Sequence, residues 1–343
     1  MTTFQSRQVL AIRLCWLIVW VSAVALNVSA YGQDKQVQEL HILGGLLQAD
    51  HDKKHTFALQ ADYQETIGEG PFGFGITYFN EGHIQDHHRD GMAAQLWLRT
   101  EVAQWLKLEG GIGPYQYFDT AAARSGLGYT DVHGLGLLAS GALVFPVPNC
   151  PGAGIEIRIN RSITRSNFDA TSILAGLRFD LPGRDNSSGE SHSNWHTHLN
   201  EVAVSGGVSI VNSFSSESSR AFQIQYRRRM EDSPIEFTLG YLNEGHNPHI
   251  LARYGLVAQL WLVRRFSEDR WELGIGYGPY FAIDSSQATA SSNQYQARVS
   301  GRLSIGVGRR FSDHLVARLF LNRITTDYSR DTDVAMLGLG YEF

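Results

Sequence analysis

Cysteine is almost missing from this 343-residue chain, which carries only Cys15 and Cys150. Cys15 falls in a stretch expected to be removed, so the mature chain has no partner for an internal disulfide. Cys150 sits in a proline-rich turn between Pro146 and Pro151 and reads as an ordinary turn residue. Proline is sparse too, at 9 residues against 35 glycines. Neither sign of charge dominates: 29 Lys and Arg stand against 34 Asp and Glu, for a net charge of −5, which is too mild to argue for a nucleic-acid partner. Long hydrophobic runs are also lacking beyond the N-terminus. No later segment reaches about 18 unbroken apolar residues, and residues 135–148 are interrupted by Gly136, Ser140, Gly141 and Pro146. Any insertion into a membrane would have to use strands.

The first 30 residues differ from the rest. Arg7 and Arg13 make a basic start, Leu14 to Leu26 form an apolar run, and Val28-Ser29-Ala30 supplies small residues for cleavage. This pattern predicts a secretory signal peptide over 1–30, to be excluded from the fold. Its apolar core is short for a membrane span, which needs about 20 residues. Cys15 precedes that core, so it is not placed as a lipoprotein cleavage site.

What is abundant is self-similarity. Asn80-Glu81-Gly82-His83 returns as Asn243-Glu244-Gly245-His246, and Gln95-Leu96-Trp97 as Gln259-Leu260-Trp261. Gly113-Pro114-Tyr115 returns as Gly278-Pro279-Tyr280, with Asp119 matched by Asp284. Asn160-Arg161, Thr164 and Asp169 return in order as Asn322-Arg323, Thr326 and Asp331. The spacing predicts one copy over 37–181 and a second over 200–343, joined by a polar Gly- and Ser-rich linker over 182–199.

Within each copy the hydrophobic period is two, the signature of strands. Leu337, Leu339, Tyr341 and Phe343 share one face while Gly338, Gly340 and Glu342 share the other. Leu315, Ala317, Leu319 and Leu321 oppose Val316, Arg318, Phe320 and Asn322. The pattern predicts about eight strands per copy, each of about 9–12 residues, the length of a tilted membrane-crossing strand. Aromatic residues mark many strand ends: Tyr78, Trp105, Phe145, Phe179, Tyr241, Trp271, Phe311 and Tyr341. The fold class expected is all-β, a transmembrane antiparallel β-barrel of about 16 strands, because backbone groups in hydrocarbon require closed sheets.

The last strand, with Leu337, Leu339, Tyr341 and Phe343 at alternate positions, resembles the C-terminal assembly signal of bacterial outer-membrane β-barrel proteins. The resemblance covers that strand and the general architecture. It implies an integral outer-membrane location, contact with outer-membrane lipid and lipopolysaccharide, and insertion by the barrel-assembly machinery. Small barrels of this kind include lipid A deacylases, which carry a His-x-Ser pair on a strand. Ser191-His192-Ser193 lies in the predicted linker, so that resemblance stops at architecture.

Two tandem eight-stranded barrels are favoured over one sixteen-stranded barrel. The linker is long for a turn at the non-loop end, and inward Trp97, Trp261 and Phe320 alternate with Gly and Ser as a narrow lumen requires. Inward Arg227, Arg298, Arg302 and Arg318 are expected to pair with Glu236 and Glu272, and their surplus is the argument for the alternative, a porin-like anion channel.

The shared polar residues are expected in loops at one rim: Glu81 and Glu244, His83 and His246, Asp119 and Asp284, Asn160-Arg161 and Asn322-Arg323, Asp169 and Asp331. A carboxylate, an imidazole and a guanidinium could bind phosphate or carboxylate groups of lipopolysaccharide or a polysaccharide. His with Glu could also do acid–base chemistry on a lipid, although no nucleophile recurs beside them. The His83, Asp86, His87, His88 and Asp90 cluster reads as a solvated loop rather than a metal site, as do His192, His196 and His198 in the linker. No cofactor is expected. The resulting expectation is a non-enzymatic outer-membrane barrel that binds a surface glycan or lipopolysaccharide or anchors an envelope assembly.

Overall fold

The computed structural model describes residues 37–50, 53–68, 70–84, 87–122, 128–165, 168–181, 198–213, 215–231, 233–247, 251–267, 269–286 and 294–343. The predicted signal peptide and nearly all of the predicted linker lie outside them.

The described chain is all strand and turn. The first sheet comprises β1 (Gln38–Ala49), β2 (His55–Thr66), β3 (Phe72–Ile84), β4 (His87–Ala103), β5 (Leu106–Ala122), β6 (Tyr129–Pro146), β7 (Ala153–Ile163) and β8 (Ala170–Leu181). The second comprises β9 (Asn200–Val211), β10 (Ser218–Arg229), β11 (Ile235–Asn247), β12 (Leu251–Phe266), β13 (Trp271–Ser286), β14 (Gln294–Arg310), β15 (Leu315–Thr325) and β16 (Thr332–Glu342). Each sheet is antiparallel and closes on itself. β8 returns to β1, with Gln38 opposite Leu181 and Ala49 opposite Ala170. β16 returns to β9, with Thr332 opposite Val211 and Glu342 opposite Glu201. A single wide barrel would need β8 beside β9, so the chain forms two narrow barrels and the one-barrel alternative is excluded. The end of each barrel where its first strand begins and its last strand ends is called proximal below; the opposite end is distal.

Strands run from 11 to 18 residues; eight fall within the 9–12 expected, and β3–β6 and β11–β14 are longer. The extra length replaces loop: β3 and β4 extend the hairpin into residues read from sequence as a solvated loop, so His83, His87, His88 and Asp90 are strand residues.

The two faces are inverted relative to a soluble protein. Ile42, Leu46, Leu59, Leu96, Ile112 and Ile173 are exposed on the first barrel, and Val204, Leu256, Leu260, Val299, Leu319 and Leu337 on the second. Arg89, Arg158, Arg253 and Arg302 are each no more than 1% exposed. An apolar wall around the outside of a closed cylinder with charge sealed within is the arrangement that a hydrocarbon solvent requires. Exposed Trp105 stacks near Phe145, with ring centroids 6.4 Å apart, at the proximal end, where Trp271, Phe311 and Tyr341 are also exposed. Those aromatics occupy the position of an interfacial girdle.

Inside, each lumen is filled. An apolar cluster including Leu43, Leu47, Phe79, Tyr115, Leu138 and Leu174 occupies the first barrel. Leu242, Val257, Trp261, Tyr280, Phe320 and Val334 belong to its counterpart in the second. Beside each plug runs the same hydrogen-bonded chain. Gln95 donates to the Leu138 carbonyl (3.2 Å) and Ser140 Oγ (3.0 Å), and Ser140 donates to Asn160 (2.7 Å). Gln259 donates to the Arg302 carbonyl (3.2 Å) and Ser304 Oγ (3.0 Å), and Ser304 donates to Asn322 (2.7 Å).

The bulky inward residues interdigitate with glycine as expected. Trp97 and Trp261 lie across Gly111 and Gly276, where a Cβ would come within 2.6 Å and 2.4 Å of the indole carbons. Arg158 and Arg227 cover these indoles at 4.7 Å and 4.9 Å from the ring centroids. Gly276→Val should therefore force the Trp261 ring off its seat and lower stability by about 1–3 kcal/mol, the usual cost of overpacking. Urea unfolding in detergent, followed by tryptophan fluorescence, measures it; a neutral result would mean the ring has room to move.

Candidate functional site

The recurrent Asn-Glu-Gly-His sequence is a β-bulge inside a strand, not a loop. The β3–β4 register shifts between Asn80 and His83, and the β11–β12 register between Asn243 and His246. Gly82 and Gly245 adopt φ values of 70° and 87°, and a Cβ on either would come 2.2 Å from a neighbouring carbonyl oxygen. Asn80 and Asn243 hold the bulge by accepting from the Gly82 and Gly245 amides, at 2.8 Å and 2.7 Å. Asn and Gly are favoured here for the same reason as in turns: a short acceptor that can cap the backbone and freedom at positive φ. The bulge sends Glu81 and Glu244 into the distal lumen, where both are fully buried.

Each buried glutamate meets an arginine from the next strand. Arg89 pairs with Glu81 and also donates to Ser162 (3.1 Å), Thr164 (3.2 Å) and the Phe168 carbonyl. Its guanidinium lies 4.5 Å from the Phe168 ring centroid. Arg253 donates to Glu244 (2.7 Å), Thr332 (2.7 Å), the Arg330 carbonyl (3.0 Å) and Tyr328 (3.3 Å). In both barrels this arginine braces the mouth, tying the hairpin of one side to the last loop of the other. Neither was singled out from sequence, although each follows its glutamate across the same hairpin.

Asp119 and Asp284 are buried at the same distal level. His87, about one-third exposed, places Nδ1 3.1 Å from both Asp119 oxygens and stacks on Phe168 at 4.9 Å. In the second barrel the Tyr328 hydroxyl donates to Asp284 at 2.7 Å. Burial pushes the Tyr328 phenol up to about 12, which keeps it a neutral donor across the physiological range. Asp169 and Asp331 close the last loops by accepting from the Thr164 and Thr326 amides, at 2.8 Å and 2.6 Å.

The remaining predicted residues do not join this cluster. Asn160 and Asn322 are interior residues of the hydrogen-bonded chain, not rim residues. Arg161 and Arg323 follow them in the strand and so face the opposite side. Arg161 donates to Asp50 (2.7 Å) and Thr171 (3.0 Å), with Asp169 3.8 Å away. The hydrogen bond from Arg161 holds the Asp50 carboxyl below the usual carboxylate range. That pair therefore contributes at neutral pH and is lost as pH falls below that range. Arg323 pairs with Asp333 at 2.8 Å. His83 is exposed on the outer wall, stacked on His88 at 4.1 Å and 6.0 Å from the Phe57 ring. The His246 backbone pairs with Ala252; its side chain is outside the described residues. Glu81 and His83 thus point to opposite sides of the barrel wall, which removes the acid–base couple suggested by their spacing. Among the described residues no group of three His, Cys, Asp or Glu side chains is placed to hold a metal.

The proximal lumen holds ion pairs; those of the first barrel, and Glu201 in the second, were not expected from sequence. In the first barrel His41 Nδ1 lies 2.6 Å from Glu156, and Arg158 bridges Glu156 and Asp62. Arg178 pairs with Glu39 and, at 2.6 Å, with Glu109. In the second, Arg227 pairs with Glu236 at 2.7 Å and Arg318 with Glu272 and Glu201. Two pairings expected from sequence fail. Arg302 bonds Asn322 (2.7 Å), and Arg298 lies over the Tyr328 ring at 4.1 Å.

No protein-family model matches the sequence, and no curated protein matches it. Solved structures do. The N-terminal β-barrel domain of Pseudomonas aeruginosa OprF is similar at 15% identity and a TM-score of 0.32, covering 43% of this chain and 100% of that one. Ail, the attachment invasion locus protein of Yersinia pestis, is similar at 12% identity and a TM-score of 0.31, covering 43% and 97%. The translocator domain of the autotransporter NalP from Neisseria meningitidis is similar at 11% identity and a TM-score of 0.22, covering 97% of each chain.

Proposed function

We propose that the protein is an integral, non-conducting protein of the bacterial outer membrane whose two barrels serve as lipid-embedded anchors rather than as pores or enzymes. The carrying observation is the filling of both lumens. Each holds ion pairs toward the proximal end, an apolar cluster with a Gln–Ser–Asn chain beside it, and a buried Glu–Arg brace toward the distal end. A water-filled channel leaves its lining charges solvated; here they are sealed against one another. The distal bulge glutamates are neutralised by their arginines, so the polar residues shared by the two barrels read as mouth braces.

Lipid contact in this reading falls to the outer wall. The exposed apolar belt meets acyl chains, and the aromatic residues at the proximal end meet the interface. His83 and Arg161, on the distal outer wall, are where a lipopolysaccharide headgroup would be met, the part of the predicted binding set that stays available to it. The proximal end of a barrel faces the periplasm in this reading, and insertion by the barrel-assembly machinery belongs to it. Planar-bilayer recording of the purified full chain tests the proposal. A flat baseline is expected after confirmed insertion, and large stable conductance steps would reinstate the channel.

A further inference from the structure

Toward the proximal mouth of the second barrel, guanidinium donors outnumber the acceptors that reach them among the described residues. Arg227, Arg229, Arg265, Arg310 and Arg318 gather there against Glu201, Glu236, Glu272 and Glu342. In the proximal lumen of the first barrel Arg99, Arg158 and Arg178 face Glu39, Asp62, Glu109 and Glu156. Buried N–H groups without an acceptor remain on Arg227, Arg229, Arg265 and Arg310; Arg227 and Arg265 each reach two glutamates, and Arg310 and Arg229 do not. Arg310 spends Nη2 on both Glu342 oxygens (2.8 and 2.7 Å), which leaves its buried Nε and Nη1 without an acceptor. Arg229, on the inward face at the end of β10 and only half-buried, has no carboxylate within ion-pair distance among the described residues, and its buried Nη1 is likewise unpartnered. It lies within electrostatic reach of both Arg310 and Arg265, with Asp269 and Glu236 the acids nearby.

Arg229 and Arg310 end β10 and β14, which stand opposite each other in the eight-stranded ring, so both guanidinium groups serve one mouth; like charges there repel, and a buried N–H without an acceptor carries the full cost of its desolvation. An oxyanion between them would remove both penalties at once, since guanidinium donors match the paired oxygens of carboxylate and phosphate. Arg229, the more exposed of the two, gives that anion a way in from the mouth.

We infer that the proximal mouth of the second barrel binds the oxyanion group, phosphate or carboxylate, of a soluble ligand through Arg229 and Arg310. Under the orientation proposed above this ligand is periplasmic, but the binding itself does not depend on orientation.

Isothermal titration of the full chain in neutral detergent, at fixed ionic strength, tests the site with inorganic phosphate and, separately, acetate. Saturable binding of one anion per chain is expected. Arg229→Gln should weaken it about tenfold, the loss expected when one charge-assisted contact goes. Arg228→Gln, on the exposed outer face of the same strand, should leave it unchanged. Arg310→Gln should act like Arg229→Gln, but it also strips Glu342 of its partner, so the decision rests on the half-exposed Arg229. Tighter phosphate binding assigns a phosphate-bearing ligand, and tighter acetate binding a carboxylate. The site is overturned if neither anion binds saturably, or if Arg229→Gln binds as the parent does. Neither result would bear on the bilayer recording, so the two proposals fail separately.

Discussion

Replacing Arg253 with methionine is expected to lower the stability of the second barrel by about 3–5 kcal/mol, the cost of stranding one member of a buried ion pair. Arg253 and Glu244 are both fully buried, and this arginine makes four kinds of contact: to Glu244, Thr332, the Arg330 carbonyl and Tyr328. Its loss leaves Glu244 with uncharged hydroxyl donors, among them Thr332 (2.6 Å) and Ser209 (3.4 Å). The double variant Arg253→Met with Glu244→Leu should recover much of the loss, since an apolar pair of similar volume costs little where an unpaired carboxylate costs a great deal. Denaturant unfolding of the single and double variants separates the two contributions. If the single variant is as stable as the parent, the brace is not structural and the buried glutamate must have another purpose.

Leu319→Arg should be nearly as damaging for the opposite reason. Leu319 is 50% exposed and faces outward midway along β15, between Leu315 and Arg323. On a soluble protein such a substitution falls within about 0.5 kcal/mol of neutral. On the lipid face of a barrel an arginine near the midplane costs about 2–4 kcal/mol. Unfolding measured in lipid vesicles decides between the two. A neutral result there would end the claim that this wall contacts hydrocarbon, and the outer-membrane assignment with it.

The architecture was largely legible in the residues. Two-residue alternation gave the strands, and Trp97 and Trp261 opposite small inward residues pointed correctly to two narrow lumens. The misplaced residues failed for identifiable reasons. Asn80-Glu81-Gly82 read as a loop because a bulge uses the same chemistry as a turn: a capping Asn and a positive-φ Gly. Asn160 and Arg161 were grouped at one rim, yet adjacent residues in a strand must face opposite sides. The period that revealed the strands already separated them. Arg227 and Arg318 were expected to meet Glu236 and Glu272, and they do; the pairs that form on barrel closure were out of reach of sequence. His41 meets Glu156, and Arg318 meets Glu201, only once the last strands have come back to the first. The apparent arginine surplus shrank for the same reason, because Glu201, Glu244, Glu342 and Asp284 proved to point inward. What survived of it is a set of buried N–H groups without an acceptor, on Arg227, Arg229, Arg265 and Arg310 toward one mouth and on Arg302 in the interior.

The return of β8 to β1 and of β16 to β9 also restricts how other molecules can attach. A sheet sealed into a ring offers no row of unused backbone donors and acceptors. Strand addition, a common way for proteins to recruit an extended peptide or polymerise through their edges, is therefore closed to both barrels. Whatever docks on the described strands must do so away from a sheet edge, on the greasy wall or at an opening of a barrel.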